Sequence, residues 1–196
     1  MNRFFEKKIP GSVCIYAPKS ELIRENLPLS PRKLDFLAGR RAAHLALKRI
    51  GIEAPFPIPK GEHGEPIWPS EVVGSISHCR THCLCVVAPS PPYQLIGCDI
   101  EDATRMNQRL AQRILSEAEK NTYRMPQDLY ATIIFCAKEA FYKLQHPRHR
   151  KSLSFKDIRV KLLPEDKKVI IDSFIKAEGF YQIDNQLVGV VLYKRA

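Results

Sequence analysis

The sequence predicts an α+β fold. Helical periods and short β-branched runs come in blocks, helix first and strands after, twice along the chain. No regular strand–helix alternation of a doubly wound sheet is present. Of the 196 residues, 44% are apolar and 27% charged, the balance of a globular core. A disordered chain would be poorer in apolar residues, and the 9 Gly and 15 Pro follow no period.

Ser30 and Pro31 supply a cap and a first turn, so residues 32–50 read as a helix. Phe36, Leu37, Ala43, Leu45, Leu47 and Ile50 are its apolar positions, and Gly51 stops it. Residues 54–70 hold five prolines and two glycines and read as an irregular loop. Residues 72–77, 83–88 and 95–101 read as strands. Residues 107–123 read as an amphipathic helix through Leu110, Ile114, Leu115 and Ala118. Residues 129–144 give the clearest helical stripe, with Ile133, Ala137, Ala140, Phe141 and Leu144 on one side. Residues 158–163, 168–174 and 187–193 read as strands of a meander. The Pro-rich stretch 89–96 divides the chain into halves 1–96 and 97–196.

The chain carries 31 Lys+Arg against 21 Asp+Glu, a net charge of +10. Such a protein attracts nucleic acid, phosphorylated cofactors, acidic proteins or anionic membrane, although solubility alone gives the same excess. The densest basic tract is HPRHRK at 146–151. No apolar stretch is long enough to span a membrane. The first residues lack the apolar core of a secretory signal. The six cysteines, Cys14, Cys79, Cys83, Cys85, Cys98 and Cys136, are therefore expected as reduced thiols in a cytoplasm.

Four clusters could carry chemistry. In Gly97-Cys98-Asp99-Ile100-Glu101, the two carboxylates fall on one face of a strand. Their repulsion is relieved if a hard cation, Mg²⁺ before Ca²⁺ or Zn²⁺, sits between them. A polar strand end in solvent would read the same. In Lys138-Glu139-Ala140-Phe141-Tyr142-Lys143, Glu139 and Lys143 are four apart on a helix. They form either an exposed ion pair or a third carboxylate flanked by cations. Ser77-His78 at a strand end offers a hydroxyl and an imidazole to a phosphate. Arg32, Arg40 and Arg41 on the first helix and Lys60 in the Pro/Gly loop could grip phosphates. The run His78-Cys79-x-x-His82-Cys83-x-Cys85 is rich in zinc-type ligands but lacks paired C-x₂-C spacing, so its cysteines read as small hydrophobes.

The order GSISHC, then GCDIE, then FCAKEAFYK resembles the 4′-phosphopantetheinyl transferases, of the monomeric kind known from enterobactin and surfactin synthesis. The resemblance extends upstream to RKLDFLAGRRAA and KGEHGEPIWP, covering about residues 32–144. It implies a pseudo-two-fold pair of α+β halves with coenzyme A in the cleft between them. The first half would contact the nucleotide and the second would hold the metal and catalytic residues. The implied reaction moves phosphopantetheine from coenzyme A to a serine of an acidic apo carrier protein and releases adenosine 3′,5′-bisphosphate. It would serve siderophore, peptide, polyketide or fatty-acid synthesis. The resemblance makes Asp99, Glu101 and Glu139 the ligands of Mg²⁺, with Mn²⁺ as a substitute. It puts Lys138 and Lys143 on the phosphates, and Glu139 or Lys143 at the serine proton. It puts His78 on a coenzyme A phosphate with Ser77 beside it, and Arg32, Arg40 and Lys60 on the nucleotide phosphates. Carrier docking would use apolar residues between Met106 and Leu129. The implied protein is a cytoplasmic monomer with no nucleic-acid partner. Phe135 stands where many relatives have Trp, and His63 and Glu65 where some have another Lys.

Two other functions share parts of this pattern. A Mg²⁺-dependent nuclease would use the carboxylates, the Glu-Lys pair and the basic surface, but usually places its acid and lysine on strands. A nucleic-acid-binding module would lose affinity steeply with salt and ignore Mg²⁺.

Overall fold

The computed structural model describes residues 5, 8–23, 28–55, 57–120 and 125–196. The first half contributes β1 (Val13–Pro18), α1 (Lys19–Leu22), α2 (Pro31–Arg49), β2 (Val72–His78) and β3 (His82–Pro89). The second contributes β4 (Tyr93–Asp102), α3 (Gln108–Ile114), α4 (Gln127–His149), β5 (Arg159–Leu163), β6 (Lys168–Asp172), β7 (Ala177–Asp184) and β8 (Leu187–Arg195). The strands form two antiparallel sheets, ordered β1-β3-β2 and β4-β8-β7-β6-β5. Each carries one long helix, so the α+β class holds and the halves share a plan while differing in size.

Alternation along β3 builds two cores at once. Cys83, Cys85 and Val87 face α2 and pack on its Ala38, Ala42, Ala46 and Leu47. Leu84, Val86 and Ala88 face the other way and meet Ile96, Cys98 and Ile100 of β4 with Val191 and Tyr193 of β8. On the far side, Ile133, Ala137, Phe141 and Leu144 of α4 pack on Val169, Val188, Val190 and Leu192. The layers run helix, sheet, sheet, helix. The middle core contains residues from both halves, so each half buries the other. All six cysteines are free, and all but Cys14 are buried. No helix among the described residues is long and apolar enough to cross a membrane.

Two edge strands, β2 and β4, meet at the seam between the sheets. A strand edge leaves backbone donors without ladder partners. Ser75 of β2 meets that need, its Oγ accepting the Cys98 amide at 3.0 Å. On its other face β4 lies almost on α4. A Cβ at Gly97 would stand 2.0 Å from the Ala140 carbonyl oxygen and 2.8 Å from the Leu144 nitrogen. Only glycine fits that approach.

Several expected boundaries shift. The helix expected over 107–123 is α3 followed by a 3-10 turn, Glu117–Glu119. Leu115 and Ser116 are extended there, and Ser116 with Glu119 forms a capping box that starts a new turn. The rest of that expected helix, 121–123, lies outside the described residues. The expected helix 129–144 is longer at both ends, and the strand expected over 168–174 ends at Asp172. Two strands had no sequence reading. β1 is a short apolar run, and β7 alternates the small Ala177 and Gly179 with Tyr181, which weakens its hydrophobic signal.

Candidate active site

Three elements converge at the seam. β2 supplies Ser77 and His78, β4 supplies Asp99 and Glu101, and α4 supplies Glu139 and Lys143. The Lys143 ammonium donates to Asp99 Oδ1 at 2.7 Å and to Ser77 Oγ at 2.9 Å. Ser77 Oγ donates to the same Asp99 oxygen at 2.8 Å. One carboxylate oxygen thus takes two bonds, while Asp99 Oδ2 is buried with no hydrogen-bond partner. A buried carboxylate oxygen without a donor is costly, and a cation can satisfy it.

The neighbouring acids sense that negative charge. Burial pushes the Glu101 carboxyl above its ordinary range, Asp99 adds to the shift, and Arg105 at 3.7 Å opposes it. Burial and then Asp99 also raise Glu139, against Lys143. Burial pulls the Lys143 ammonium down, but Asp99, Cys98 and Glu139 outweigh it and its pKa rises. Lys143 is therefore a firmly charged cation beside Asp99, whose charge disfavours the ionisation of Glu101 and Glu139. Among the described residues no three His, Cys, Asp or Glu side chains are already closed into a metal cage. The donor set nonetheless suits a hard cation: oxygen ligands, one of them orphaned, in mutual repulsion.

The remaining expected residues divide. His78 Nδ1 lies 3.7 Å from Asp35 Oδ2, and Asp35 is itself paired with Lys19. Burial lowers the His78 pKa and outweighs Asp35, which favours the neutral imidazole. Arg32 and Lys60 are exposed, as a phosphate-gripping residue requires. Arg40 is buried, its guanidinium over the Phe36 ring at 4.6 Å and its Nε donating to the Ile58 carbonyl at 2.8 Å. Nη2 of Arg40 is buried without a hydrogen-bond partner, an unmet donor as Asp99 Oδ2 is an unmet acceptor.

Lys138 departs from expectation. Its side chain is 0% exposed, and its ammonium donates to Glu119 Oε2 at 2.7 Å and to the Ile114 carbonyl at 2.8 Å. An ammonium enclosed in that way does not reach a phosphate in the cleft. Two residues of the site had no sequence reading. Ser75 stands two residues before Ser77, so the period of a strand puts both serines on one face. Glu119 was legible through Ser116-x-x-Glu119.

Two cavities flank this row of α4. One, about 320 Å³, lies between the halves and is lined by Glu65, Trp68, Ser75, Tyr142, Lys143 and His146. The other, about 620 Å³, adjoins Glu139 and is lined by Leu110, Arg113, Tyr142, Phe155 and Lys156. Leu110 and Tyr142 are large apolar side chains left exposed there.

Comparison with known proteins places the chain in a family. A family model described as "4′-phosphopantetheinyl transferase N-terminal domain" matches residues 20–88. A second, "4′-phosphopantetheinyl transferase superfamily", matches residues 95–190. The chain is 33% identical over 175 residues to enterobactin synthase component D of Salmonella typhimurium, covering 82% of this chain and 71% of that one. It is 34% identical over 137 residues to 4′-phosphopantetheinyl transferase Npt of Nocardia iowensis and, over the same length, to PptT of Mycobacterium tuberculosis. Those matches cover 69% and 67% of this chain, and the chain spans only 61% and 59% of the two relatives' length. A crystal structure of a holo-(acyl-carrier-protein) synthase from Bacillus anthracis, in complex with CoA (3′,5′-ADP), overlaps 54% of this chain and 98% of that one, at 23% identity and a TM-score of 0.45. A likeness of that size by itself decides nothing.

Proposed function

The chain belongs to the 4′-phosphopantetheinyl transferase superfamily, and on that premise we propose that it transfers phosphopantetheine from coenzyme A to a serine of an apo carrier protein, with Mg²⁺. The observation that carries the reading is Asp99. One oxygen is held by Ser77 and Lys143 from two other elements, and the other is buried and unpartnered. Asp99, Glu101 and Glu139 would hold the metal, with Mn²⁺ as a substitute. When bound, it would offset pyrophosphate charge and stabilise the leaving phosphate.

The chain's own residues do the rest. The cavity between the halves takes coenzyme A, its phosphates beside Lys143, Ser77 and His78, with Arg32 and Lys60 reaching the nucleotide end. The second cavity takes the carrier. Its exposed Leu110 and Tyr142 receive apolar side chains, and Arg113 and Lys156 meet acidic ones. A net charge of +10 steers an acidic partner toward the protein. The carrier serine oxygen forms a bond to the pantetheine phosphorus, and the bond to the adenosine 5′-phosphate breaks. Glu139 accepts the serine proton at its carboxylate. Lys143 offsets the charge that develops on the phosphate oxygens.

Both walls of the cleft come from one chain, which suits a monomer. The free cysteines suit a reducing cytoplasm. The nuclease alternative fits less well, since Glu139 and Lys143 stand on a helix.

The test is the intact mass of an apo carrier after incubation with the protein, coenzyme A and Mg²⁺. Peptidyl, aryl and acyl carriers, including siderophore-synthase carriers, make up the panel. A gain of one phosphopantetheine, lost without Mg²⁺ and lost in Asp99→Ala, is expected. No gain on any carrier together with no coenzyme A binding sinks the reading.

A further inference from the structure

The Lys138–Glu119 pair does more than fill the core. Glu119 is buried, and both its oxygens are engaged. Oε2 accepts the Ser116 amide at 2.8 Å as well as the Lys138 ammonium, and Oε1 accepts the Val160 amide at 3.1 Å. Lys138 also holds the Ile114 carbonyl. One ion pair therefore joins four places: the middle of α4, the last turn of α3, the 3-10 turn at 117–119 and the start of β5. Apolar side chains of equal volume would fill the same space at no greater cost, since desolvation offsets most of the attraction in a buried pair. What the polar pair adds is direction. Each bond fixes one backbone group at one distance from α4.

Those four places frame the cavity beside Glu139. Leu110 and Arg113 stand on α3, which the Ile114 bond anchors. Phe155 and Lys156 stand on the turn just before β5, which the Val160 bond anchors. Glu139 is the next residue after Lys138 on the helix that carries the pair. We propose that Lys138 and Glu119 are a positioning pair that holds the carrier-docking walls in register with Glu139, and that Lys138 is no ligand of coenzyme A. The inference rests on the transferase reading and deepens it. It separates two lysines that the motif alone treats alike: Lys143 acts on phosphate, and Lys138 acts on the partner protein through the groove.

The experiment compares wild type with Lys138→Met and with Lys138→Met/Glu119→Gln. The double variant removes both charges while Gln keeps an acceptor for one of the two amides, so it serves if the single variant does not fold. Three quantities are read: the KM for the apo carrier, the Kd for coenzyme A by calorimetry, and the exchange rates of the Ser116 and Val160 amides. The carrier KM should rise about tenfold or more, as expected when a docking wall moves by about an ångström. The coenzyme A Kd should stay within about twofold. The two amides should exchange faster. A coenzyme A Kd weakened about tenfold with an unchanged carrier KM overturns the proposal and returns Lys138 to the phosphates. A fall in kcat alone, or no change in any quantity, overturns it as well. Wild type that modifies no carrier and binds no coenzyme A overturns the transferase reading itself, an outcome seen before any variant is made.

Discussion

Two lysine–carboxylate pairs sit on α4 within six residues of sequence, and they are built differently. Lys138–Glu119 is closed: no part of the ammonium meets solvent, and the carboxylate bonds two backbone amides besides. Lys143–Asp99 is open: the Lys143 side chain is 31% exposed, and one buried Asp99 oxygen has no donor. Burial alone does not separate them, since both carboxylates are below 10% exposed. Satisfaction does. A pair whose every polar atom is matched by the chain has nothing left for a ligand, whereas a pair with an orphaned oxygen beside two further acids lacks a cation.

Breaking each pair should therefore damage different things. Glu119→Ala leaves a buried ammonium without its counter-charge and frees two amides. It should cost about 3–5 kcal/mol of stability in denaturant unfolding. Asp99→Asn should lower turnover by about 10²–10³-fold, about 3–4 kcal/mol, in the carrier-modification assay. Its stability should change less than in Glu119→Ala, because Asn keeps an acceptor for Ser77 and Lys143 and removes the charge that disfavours ionisation of Glu101 and Glu139. If Asp99→Asn unfolds the protein while Glu119→Ala leaves stability untouched, the contrast between the pairs is wrong.

Much of this was legible in the sequence. The strand run around Asp99 and the helix around Glu139 and Lys143 were each marked by period, and their order with Ser77-His78 brought the three together. The closed pair was hidden by treating Lys138 as half of a Lys-Glu motif. Its spacing told otherwise: Ala131, Ile134, Lys138, Phe141 and Gln145 recur every three or four residues, and all five are buried. A lysine on an apolar stripe demands a buried acid, and Glu119 was visible only as a cap in what read as an unbroken helix. That Ser75 supports the β2–β4 seam depends on two edge strands meeting from different sheets, a contact no local pattern encodes.

Gly97 sharpens the comparison at the open site. The close approach of β4 to Ala140 and Leu144 sets how far Asp99 stands from Lys143. The added methyl of Gly97→Ala meets backbone on α4, so the strand must shift. A cost of about 1–3 kcal/mol is expected, read as a lowered unfolding midpoint. Turnover should fall beyond what that loss explains, since Asp99 moves with the strand. Unchanged turnover in the folded variant would show that the spacing tolerates more freedom than the geometry implies.

The smallest expected effect tests why the open pair stays open. Burial and the Asp99 charge raise Glu101 and Glu139 above the ordinary glutamate value of 4.5. A carboxyl with a raised native pKa contributes stability that is fully present below the unfolded value and is lost as pH rises through the native one. Without metal, the stability from these two groups should thus decline as pH climbs from about 4.5 toward neutrality. Mg²⁺ added at neutral pH supplies the missing charge and should recover about 1 kcal/mol at a few times its Kd. For a chain of this length that is a rise in Tm of about 2–4 °C. Near pH 4, with both glutamates protonated, Mg²⁺ should do almost nothing. In Asp99→Asn, which removes the central charge, the neutral-pH rise should vanish, while in Lys138→Met/Glu119→Gln it should persist. A rise equal in all three proteins would mean that the cation acts on general surface charge, and the distinction between the two pairs would lose its functional half.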